Sequence, residues 1–391
     1  MESHIQAKYD HWIKLFICLL VVMIAQVHGV HITRLHSALA KGAACLDGSP
    51  PAYYYIKGFG EGSNNWLVQL EGGGWCGSDE WCIKISKSHN GSTKNKSDTM
   101  TYGQIFSQDK AINPDFYNWN IVIVSYCDGS SFMSNVVAID PKTNLTRRGA
   151  RIFNVVMEDL LAKGMKDADN AILAGGSAGG LATILHCDGF RTLIPNASRV
   201  KCLSDSGFFL HAKDLPGANI RENAFANTVK YHGLAKFLPA SCTSKMNASW
   251  CMFPENLIRD IRTPLFLLES AFDVYQLSVK FIPACPTDVP TWKDCVSDFN
   301  VCTLTQLQTI KDFRAALIKT LREISNSPSI GMFVHSCPRH GHFYDSGGWN
   351  NLPSVGNKTI VNAIGDWFFD RGFVQEIDTQ HDAPQHCSKK A

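Results

Sequence analysis

The sequence predicts an α/β fold with a mostly parallel central sheet, and three observations support this prediction. Strand-like apolar runs alternate with stretches of helical spacing along the 391 residues. Several of these runs are apolar throughout, as expected for central strands that helices cover on both faces. A glycine-rich turn at 175–179 joins one such run directly to a helix-like stretch. Together these features favour one large α/β domain over residues 30–391.

Six segments are predicted to be strands of this sheet. They are residues 66–70, 120–126, 171–174, 201–204, 264–269 and 331–334. Apolar residues recur at helical spacing over 151–161, and a second helix is expected to follow the glycine-rich turn.

Two insertions interrupt the alternation of strands and helices. Residues 86–101 are polar and are predicted to form an exposed loop. Residues 206–262 separate two predicted strands and are too few to build much of a core of their own. We therefore expect them to form a cap-like insertion over the functional site.

The N-terminal region predicts the compartment of the protein. Lys14 precedes an apolar run at 15–25, which as a helix would cross only about half of a ~30 Å hydrocarbon core. A signal peptide over 1–29 is therefore expected, with a retained signal anchor as the alternative. The mature chain is expected to be extracellular, with no stable membrane insertion. A formal charge of +2 and the lack of a basic run argue against a nucleic-acid partner.

The cysteine content agrees with secretion. Of 14 cysteines, Cys18 lies in the leader, so an oxidising compartment would pair most of the others and leave an odd thiol. The pairing cannot be read from sequence, although Cys76 with Cys82 and Cys242 with Cys251 are candidates for local loops. A zinc site is disfavoured because no Cys-x-x-Cys pairs recur, and no metal or cofactor is expected.

Six Asn-x-Ser/Thr sequons predict glycosylated surface loops and also support passage through the secretory pathway. Their asparagines are Asn90, Asn95, Asn144, Asn196, Asn247 and Asn357.

Ser177 is the candidate nucleophile. It sits at the apex of the turn at 175–179, where flanking glycines allow the strained backbone that lifts a hydroxyl out of a sheet. A serine hydroxyl reacts at neutral pH only with a base to accept its proton and an acid to orient that base. In serine hydrolases built on α/β sheets, the order along the chain is serine, acid, histidine.

The chain supplies that order. Asp273 follows the predicted strand 264–269, at the edge where such sheets carry their catalytic groups, and Glu269 within the strand is its rival. Three histidines follow the last predicted strand, and the residues alone leave the choice among them open. They are His335, His340 and His342.

The glycines at 72–74 are candidates for an oxyanion loop. They follow the predicted strand 66–70, and backbone N–H groups in such a loop can approach a developing negative charge. The expected donors are the amides of Gly73, Gly74 and Ala178. A flexible turn is the alternative. A phosphate-binding loop is excluded because the Gly-x-x-x-x-Gly-Lys pattern is absent.

Four segments together resemble the plant pectin acetylesterases, which are related to the secreted carboxylesterase Notum. They are residues 70–76, 126–129, 148–151 and 175–187, within a resemblance that runs from about 46 to 369. The resemblance implies an α/β-hydrolase fold and removal of acetyl esters from cell-wall pectin, with no metal. By position it implies that Ser177 is the nucleophile, Asp273 the acid and His340 the base.

The chain departs from this family at three positions. The family usually has cysteines where this chain has Gly176 and Gly341, so a cross-link is expected to be missing and His340 to be held less tightly. Arg339, beside the base, is also unusual and would either contact an anionic galacturonate or alter specificity. The alternative functions are a Notum-like lipid-removing esterase, a catalytically silent binding protein and a serine peptidase.

Overall fold

The computed structural model describes residues 29–278, 289–344, 349, 352–385 and 387. Ten strands within these residues form one sheet. The strands are Val30–Arg34 (β1), Ala52–Ile56 (β2), Asn65–Leu70 (β3), Thr99–Met100 (β4), Asn120–Val124 (β5), Asn170–Gly176 (β6), Arg199–Asp205 (β7), Leu265–Ser270 (β8), Ile330–His335 (β9) and Gln375–Ile377 (β10).

The sheet is parallel except at one edge, which confirms the predicted α/β fold. Its strand order is β10-β9-β8-β7-β6-β3-β5-β2-β1-β4, with antiparallel pairing confined to β5 with β2, β2 with β1 and β1 with β4. The six predicted strands are β3 and β5 to β9, each shifted by no more than two residues at either end. The antiparallel edge and the short β10 were not predicted.

Eight α-helices flank the sheet in the described residues. They are Asp79–Ser86 (α1), Gly149–Ala162 (α2), Ala178–Leu193 (α3), Ala218–His232 (α4), Ala240–Thr243 (α5), Val289–Ser297 (α6), Leu304–Ile324 (α7) and Ile360–Phe368 (α8). The predicted helix at 151–161 lies within α2, and the helix expected after the glycine-rich turn is α3.

Both faces of the sheet are buried, which explains why its central strands are largely apolar. In β3, Trp66 and Val68 pack in one core with residues of α2 and α3. Leu67 points to the opposite face and packs in a second core with residues of α8. Alternate residues of a strand point to opposite faces, so most positions of a strand covered on both sides are apolar.

The insertion at 206–262 shares the core of the sheet. Phe208, Phe225 and Met252 are fully buried and belong to the same apolar cluster as β3. A disulfide between Cys242 and Cys251 closes a local loop within it. The segment is therefore packed onto the main body through its own apolar side chains.

The polar segment at 86–101 differs from the exposed loop that was predicted. Ser92 and Thr93 are buried, and the Thr93 hydroxyl donates to the Pro50 carbonyl at 2.7 Å. The Ser92 hydroxyl donates to Asp47 at 2.7 Å. The prediction was wrong in the middle of the segment because these polar side chains bond to the neighbouring turn instead of to water.

Six disulfides join described cysteines, and both predicted local pairs are among them. The bonds are Cys45–Cys127, Cys76–Cys82, Cys187–Cys202, Cys242–Cys251, Cys295–Cys302 and Cys337–Cys387. Cys18 and Cys285 lie outside the described residues. The His232 ring lies beside Cys76 and Cys82, but both sulfurs are used in a disulfide and are not thiolate ligands for a metal.

The expected signal peptide, including the apolar run at 15–25, lies outside the described residues except for Gly29. Within the residues that the structure does describe, no helix has the length and apolarity needed to span a bilayer.

Two glycines of α3 give a matched test of the close packing between this helix and β3. A methyl group added at Gly179 would collide with the carbonyl oxygen of Leu70, whereas Gly189 is exposed and has open space around it. We expect Gly179→Ala to lower the free energy of unfolding by about 1–3 kcal/mol through overpacking. Gly189→Ala should raise it by about 0.5–1 kcal/mol through helix propensity. Urea denaturation measures both, and equal effects of the two substitutions would contradict the packing argument.

Candidate active site

Ser177 occupies a strained turn between β6 and α3. Its backbone angles are φ +57° and ψ −124°, in a region that residues with a Cβ rarely adopt. The Ser177 amide donates to the Asp205 carbonyl at 2.8 Å, which fixes the turn against β7. Gly175 is required because an added methyl would collide with the Gly179 backbone. Gly176 is not required, since its nearest neighbour would be the Asp205 carboxylate at 3.9 Å.

His340 is the histidine that the fold brings to Ser177. Its Nε2 lies 2.7 Å from the Ser177 hydroxyl, and its Nδ1 lies 2.8 Å from the Asp273 carboxylate. Asp273 follows β8 and is fully buried, where it also accepts the backbone N–H groups of Tyr275 and Gln276. These distances define a continuous hydrogen-bonded chain from serine through imidazole to carboxylate.

The electrostatic environment of these three residues favours the protonated form of His340. Burial disfavours the imidazolium, but the charge of Asp273 and its hydrogen bond outweigh burial, so the pKa of His340 is raised above its ordinary value. In the neutral ring, Nδ1–H donates to Asp273 and leaves Nε2 to accept from the Ser177 hydroxyl. This tautomer is the one that a general base requires.

The other two candidate histidines lie in a buried network behind His340. The Cys337 amide donates to His335 Nδ1 at 3.1 Å, so the His335 proton sits on Nε2 and points to His342 Nε2 at 2.7 Å. His342 Nδ1–H then donates to Asp205 at 2.5 Å. Burial holds the pKa of His335 well below its ordinary range, and the electrostatic interaction with His342 lowers it further. Both rings are therefore part of a buried structural network, and neither contacts Ser177.

Asp205 and Ser206 hold the loop that carries His340. Asp205 accepts the His342 amide at 2.7 Å, and the Ser206 hydroxyl accepts the Gly341 amide at 2.9 Å. Gly341 has φ +84°, which favours glycine at this position. The loop is thus fixed by hydrogen bonds from the end of β7. Arg339 interacts electrostatically with Asp205 and is not among the described residues that line the cavity at Ser177.

Glu269, the rival acid, has a different position. Its carboxyl oxygen accepts the amides of Gly207 at 3.1 Å and Phe208 at 3.0 Å. Burial, followed by the charge of Asp273, raises the pKa of Glu269 well above its ordinary value. The Glu269 carboxyl, bound to backbone amides, therefore holds the start of the 206–262 segment and does not orient His340.

The loop of three glycines passes directly beside Ser177. A methyl group added at Gly72 would lie 2.8 Å from the Ser177 Cβ, and Gly74 has φ +73°. Within the described residues, the amides of Gly73, Gly74 and Ala178 donate to no protein acceptor. None of the three expected oxyanion donors is therefore used in the internal hydrogen bonds of the described residues.

Two side chains that sequence reasoning missed support this loop. The Tyr126 hydroxyl donates to the Gly74 carbonyl at 2.6 Å. The Ser131 hydroxyl accepts from the Trp75 indole at 2.7 Å and donates to the Ala178 carbonyl at 2.7 Å. Ser131 therefore links the glycine loop to the start of α3. Tyr126 lies in a segment that carried the family resemblance, but no local pattern marks either residue as a support.

Ser177 and His340 open into a cavity of about 540 Å³. Aromatic rings form much of its wall, and the Tyr275 ring stacks on His340 with centroids 4.8 Å apart. One side of the wall comes from α4, in the 206–262 segment. The other lining residues include Trp75, Trp81, Phe225, Ser78, Asn90, Asn227 and Thr228.

The sequence of this chain is similar to those of known proteins. The chain matches the pectinacetylesterase family over residues 23–388. It is 44% identical over 361 residues to pectin acetylesterase 7 of Arabidopsis thaliana, which covers 92% of each chain. It is 43% identical over 364 residues to pectin acetylesterase 11 of the same plant, which covers 93% of each.

A more distant similarity extends to animal proteins. The palmitoleoyl-protein carboxylesterase NOTUM of Mus musculus is 30% identical over 262 residues, or 63% of this chain and 51% of that one. The plant relatives match more of the chain at higher identity. The resemblance inferred from the four sequence segments is confirmed, and this chain belongs to the pectinacetylesterase family.

Proposed function

We propose that this protein is a serine carboxylesterase that hydrolyses acetyl esters of pectin. The observation that carries the proposal is the hydrogen-bonded chain of Ser177, His340 and Asp273, with its Oγ–Nε2 distance of 2.7 Å. The family membership and the names of the plant relatives support the substrate.

The proposed reaction is acyl transfer through an acetyl-enzyme. His340 Nε2 takes the Ser177 proton while Oγ attacks the acetyl carbonyl carbon, and the amides of Gly73, Gly74 and Ala178 bind the oxyanion. The bond from carbon to the sugar oxygen then breaks, and that oxygen takes the proton from His340. Water attacks the acetyl-enzyme with His340 again as base, which releases acetate and restores Ser177. Asp273 holds the required tautomer throughout.

The cavity supports a small acyl group on a sugar better than a long lipid chain. Hydroxyl and amide groups of Ser78, Asn90, Asn227 and Thr228 share its wall with aromatic rings. Sugars present both hydroxyl groups and apolar ring faces, so this mixture suits a polysaccharide. A Notum-like activity on long acyl esters is the second candidate, because a carboxylesterase of that class shares part of the chain.

We also propose that the protein is secreted to the cell wall, with residues 30–391 forming one catalytic domain that the 206–262 segment partly caps. The six disulfides support an oxidising compartment. Five of the six sequon asparagines are exposed, which supports their use as glycosylation sites. These are Asn95, Asn144, Asn196, Asn247 and Asn357.

Substitution of the nucleophile tests the proposed reaction. We expect Ser177→Ala to lower the rate of acetate release from acetylated pectin by at least about 10³-fold, since no other group forms the acyl-enzyme. Ser244→Ala, at an exposed serine away from the cavity, is the matched control and should keep full activity. Unchanged acetate release by the Ser177 variant would refute the assignment. Cleavage of long acyl esters in preference to acetyl esters by the unaltered enzyme would favour the Notum-like alternative.

The raised pKa of His340 sets the expected pH dependence. Only the neutral ring accepts the serine proton, so activity is present above the pKa of His340 and is lost as pH falls through it. With p-nitrophenyl acetate, whose charge does not change with pH, the acid limb of kcat/KM should lie above the ordinary histidine value of about 6.5. An acid limb well below pH 6 would contradict the ion pair with Asp273.

The sequon at Asn90 should remain unmodified in active enzyme. Asn90 is half-buried in the cavity wall, and its Cγ would lie 3.0 Å from a methyl group added at Gly73. A glycan there would occupy the space in front of the oxyanion donors. Glycopeptide mapping of active enzyme should show no glycan at Asn90, whereas Asn95 serves as an exposed neighbour for comparison. A glycan found on Asn90 of fully active enzyme would show that the cavity wall is placed wrongly.

A further inference from the structure

The cavity at Ser177 carries no fixed countercharge for an acidic polymer. Its lining residues in the described chain are aromatic, aliphatic, hydroxyl or amide groups apart from His340, with no lysine, arginine or carboxylate. A uronate unit that enters next to an acetylated unit brings a carboxylate with it. A cationic side chain that binds this carboxylate must therefore lie at the rim of the cavity.

Helix α1 presents a cation at that rim. Trp81 lines the cavity and is 37% exposed, and the Lys84 ammonium lies 5.0 Å from the centroid of its ring. This distance is within the range of a cation–π contact, which holds the ammonium over the indole while leaving it in water.

The position of the Trp81 ring is fixed relative to the reacting groups. Its indole N–H donates to the Trp75 carbonyl at 3.0 Å, one residue beyond the expected oxyanion donor Gly74. The disulfide between Cys76 and Cys82 ties the same loop to α1. A group bound at Trp81 therefore has a defined placement with respect to the oxyanion loop.

Lys84 retains its charge for a ligand. It is exposed, and within the described part of the chain it forms no ion pair with a carboxylate. Two lysines that follow in the sequence do form ion pairs: Lys94 pairs with Asp47, and Lys96 pairs with Glu71.

We propose that Trp81 and Lys84 form a uronate subsite, in which the indole contacts a sugar ring and the ammonium binds the carboxylate of a galacturonate unit next to the acetylated one. This inference rests on the proposed function, because it deepens the recognition of the same polymer. An exposed ion pair contributes a modest amount to binding. The subsite therefore makes acidic polymer a better substrate than its neutral ester, without taking part in the reaction.

Two acetylated substrates that differ only in charge test the subsite. One is acetylated polygalacturonate with free carboxylates, and the other is the same polymer after full methyl esterification. We expect Lys84→Gln to raise KM by about two- to fivefold for the acidic polymer, with little effect on kcat, and to leave KM for the methyl ester closer to that of the unaltered enzyme. Lys84→Glu should enlarge the difference, and added salt should shrink it.

Lys87→Gln is the matched control, because Lys87 is an exposed lysine just past the same helix and contacts no aromatic ring of the described residues. It should leave both KM values unchanged. Melting temperatures confirm that each variant is folded. If Lys84→Gln matches the unaltered enzyme on the acidic polymer, or if the two lysine variants behave alike, the subsite is refuted.

An inhibition assay separates failure of the subsite from failure of the proposed function. Oligogalacturonate without acetyl groups is tested as an inhibitor of p-nitrophenyl acetate hydrolysis, and Lys84→Gln should raise its Ki by about two- to fivefold. If the enzyme releases no acetate from either polymer, the proposed function fails while this assay still tests binding. Absence of inhibition, or an equal Ki in both enzymes, would overturn the subsite itself.

Discussion

The hydrogen bond between His340 and the buried carboxylate of Asp273 is the interaction on which the rest of the site depends. An ionised carboxylate with no exposure is costly unless charged and polar partners surround it. Two backbone amides and the imidazole satisfy Asp273, and in return it fixes which nitrogen of His340 faces the serine. Neither group would hold this arrangement alone.

The sheet order makes that interaction possible. β6, β7, β8 and β9 are neighbours and run parallel, so their carboxyl ends lie at one edge. Ser177, Asp273 and His340 follow these ends and Asp205 is the last residue of β7, although 163 positions separate the serine from the histidine.

Two aspartate–histidine pairs lie side by side at this edge, and solvent access distinguishes them. The His342 side chain is fully buried against Asp205, whereas 18% of the His340 side chain is exposed. A base must exchange protons with substrate and water, so only the accessible ring can serve. The buried pair instead holds the loop in which the accessible ring sits.

Much of the fold was predictable because central strands covered on both faces appear in the sequence as largely apolar runs. The short strands β4 and β10 were missed because they have only two and three residues, too few to show a period. The burial of Ser92 and Thr93 in the polar segment 86–101 was not predicted. Their hydrogen bonds go to a turn that is close in space but more than 40 positions away in the sequence, so they leave no local pattern.

The site residues that a local sequence feature marks were predictable. The glycine-rich turn marked Ser177, and the end of a strand marked Asp273. Three histidines within eight positions left the base open, and only the family resemblance and then the hydrogen-bond geometry distinguish His340. The supports Tyr126 and Ser131 act across the fold, where spacing along the chain carries no information.

The short loop closed by the Cys76–Cys82 disulfide joins the oxyanion segment to α1. These two connected parts of the structure have different roles. In the proposed function, reactivity depends on backbone amides and on groups from the strand ends, whereas the exposed surface of α1 contacts the incoming polymer. Mutations along that helix can change which decorated polysaccharide is accepted while acid, base and nucleophile stay as they are.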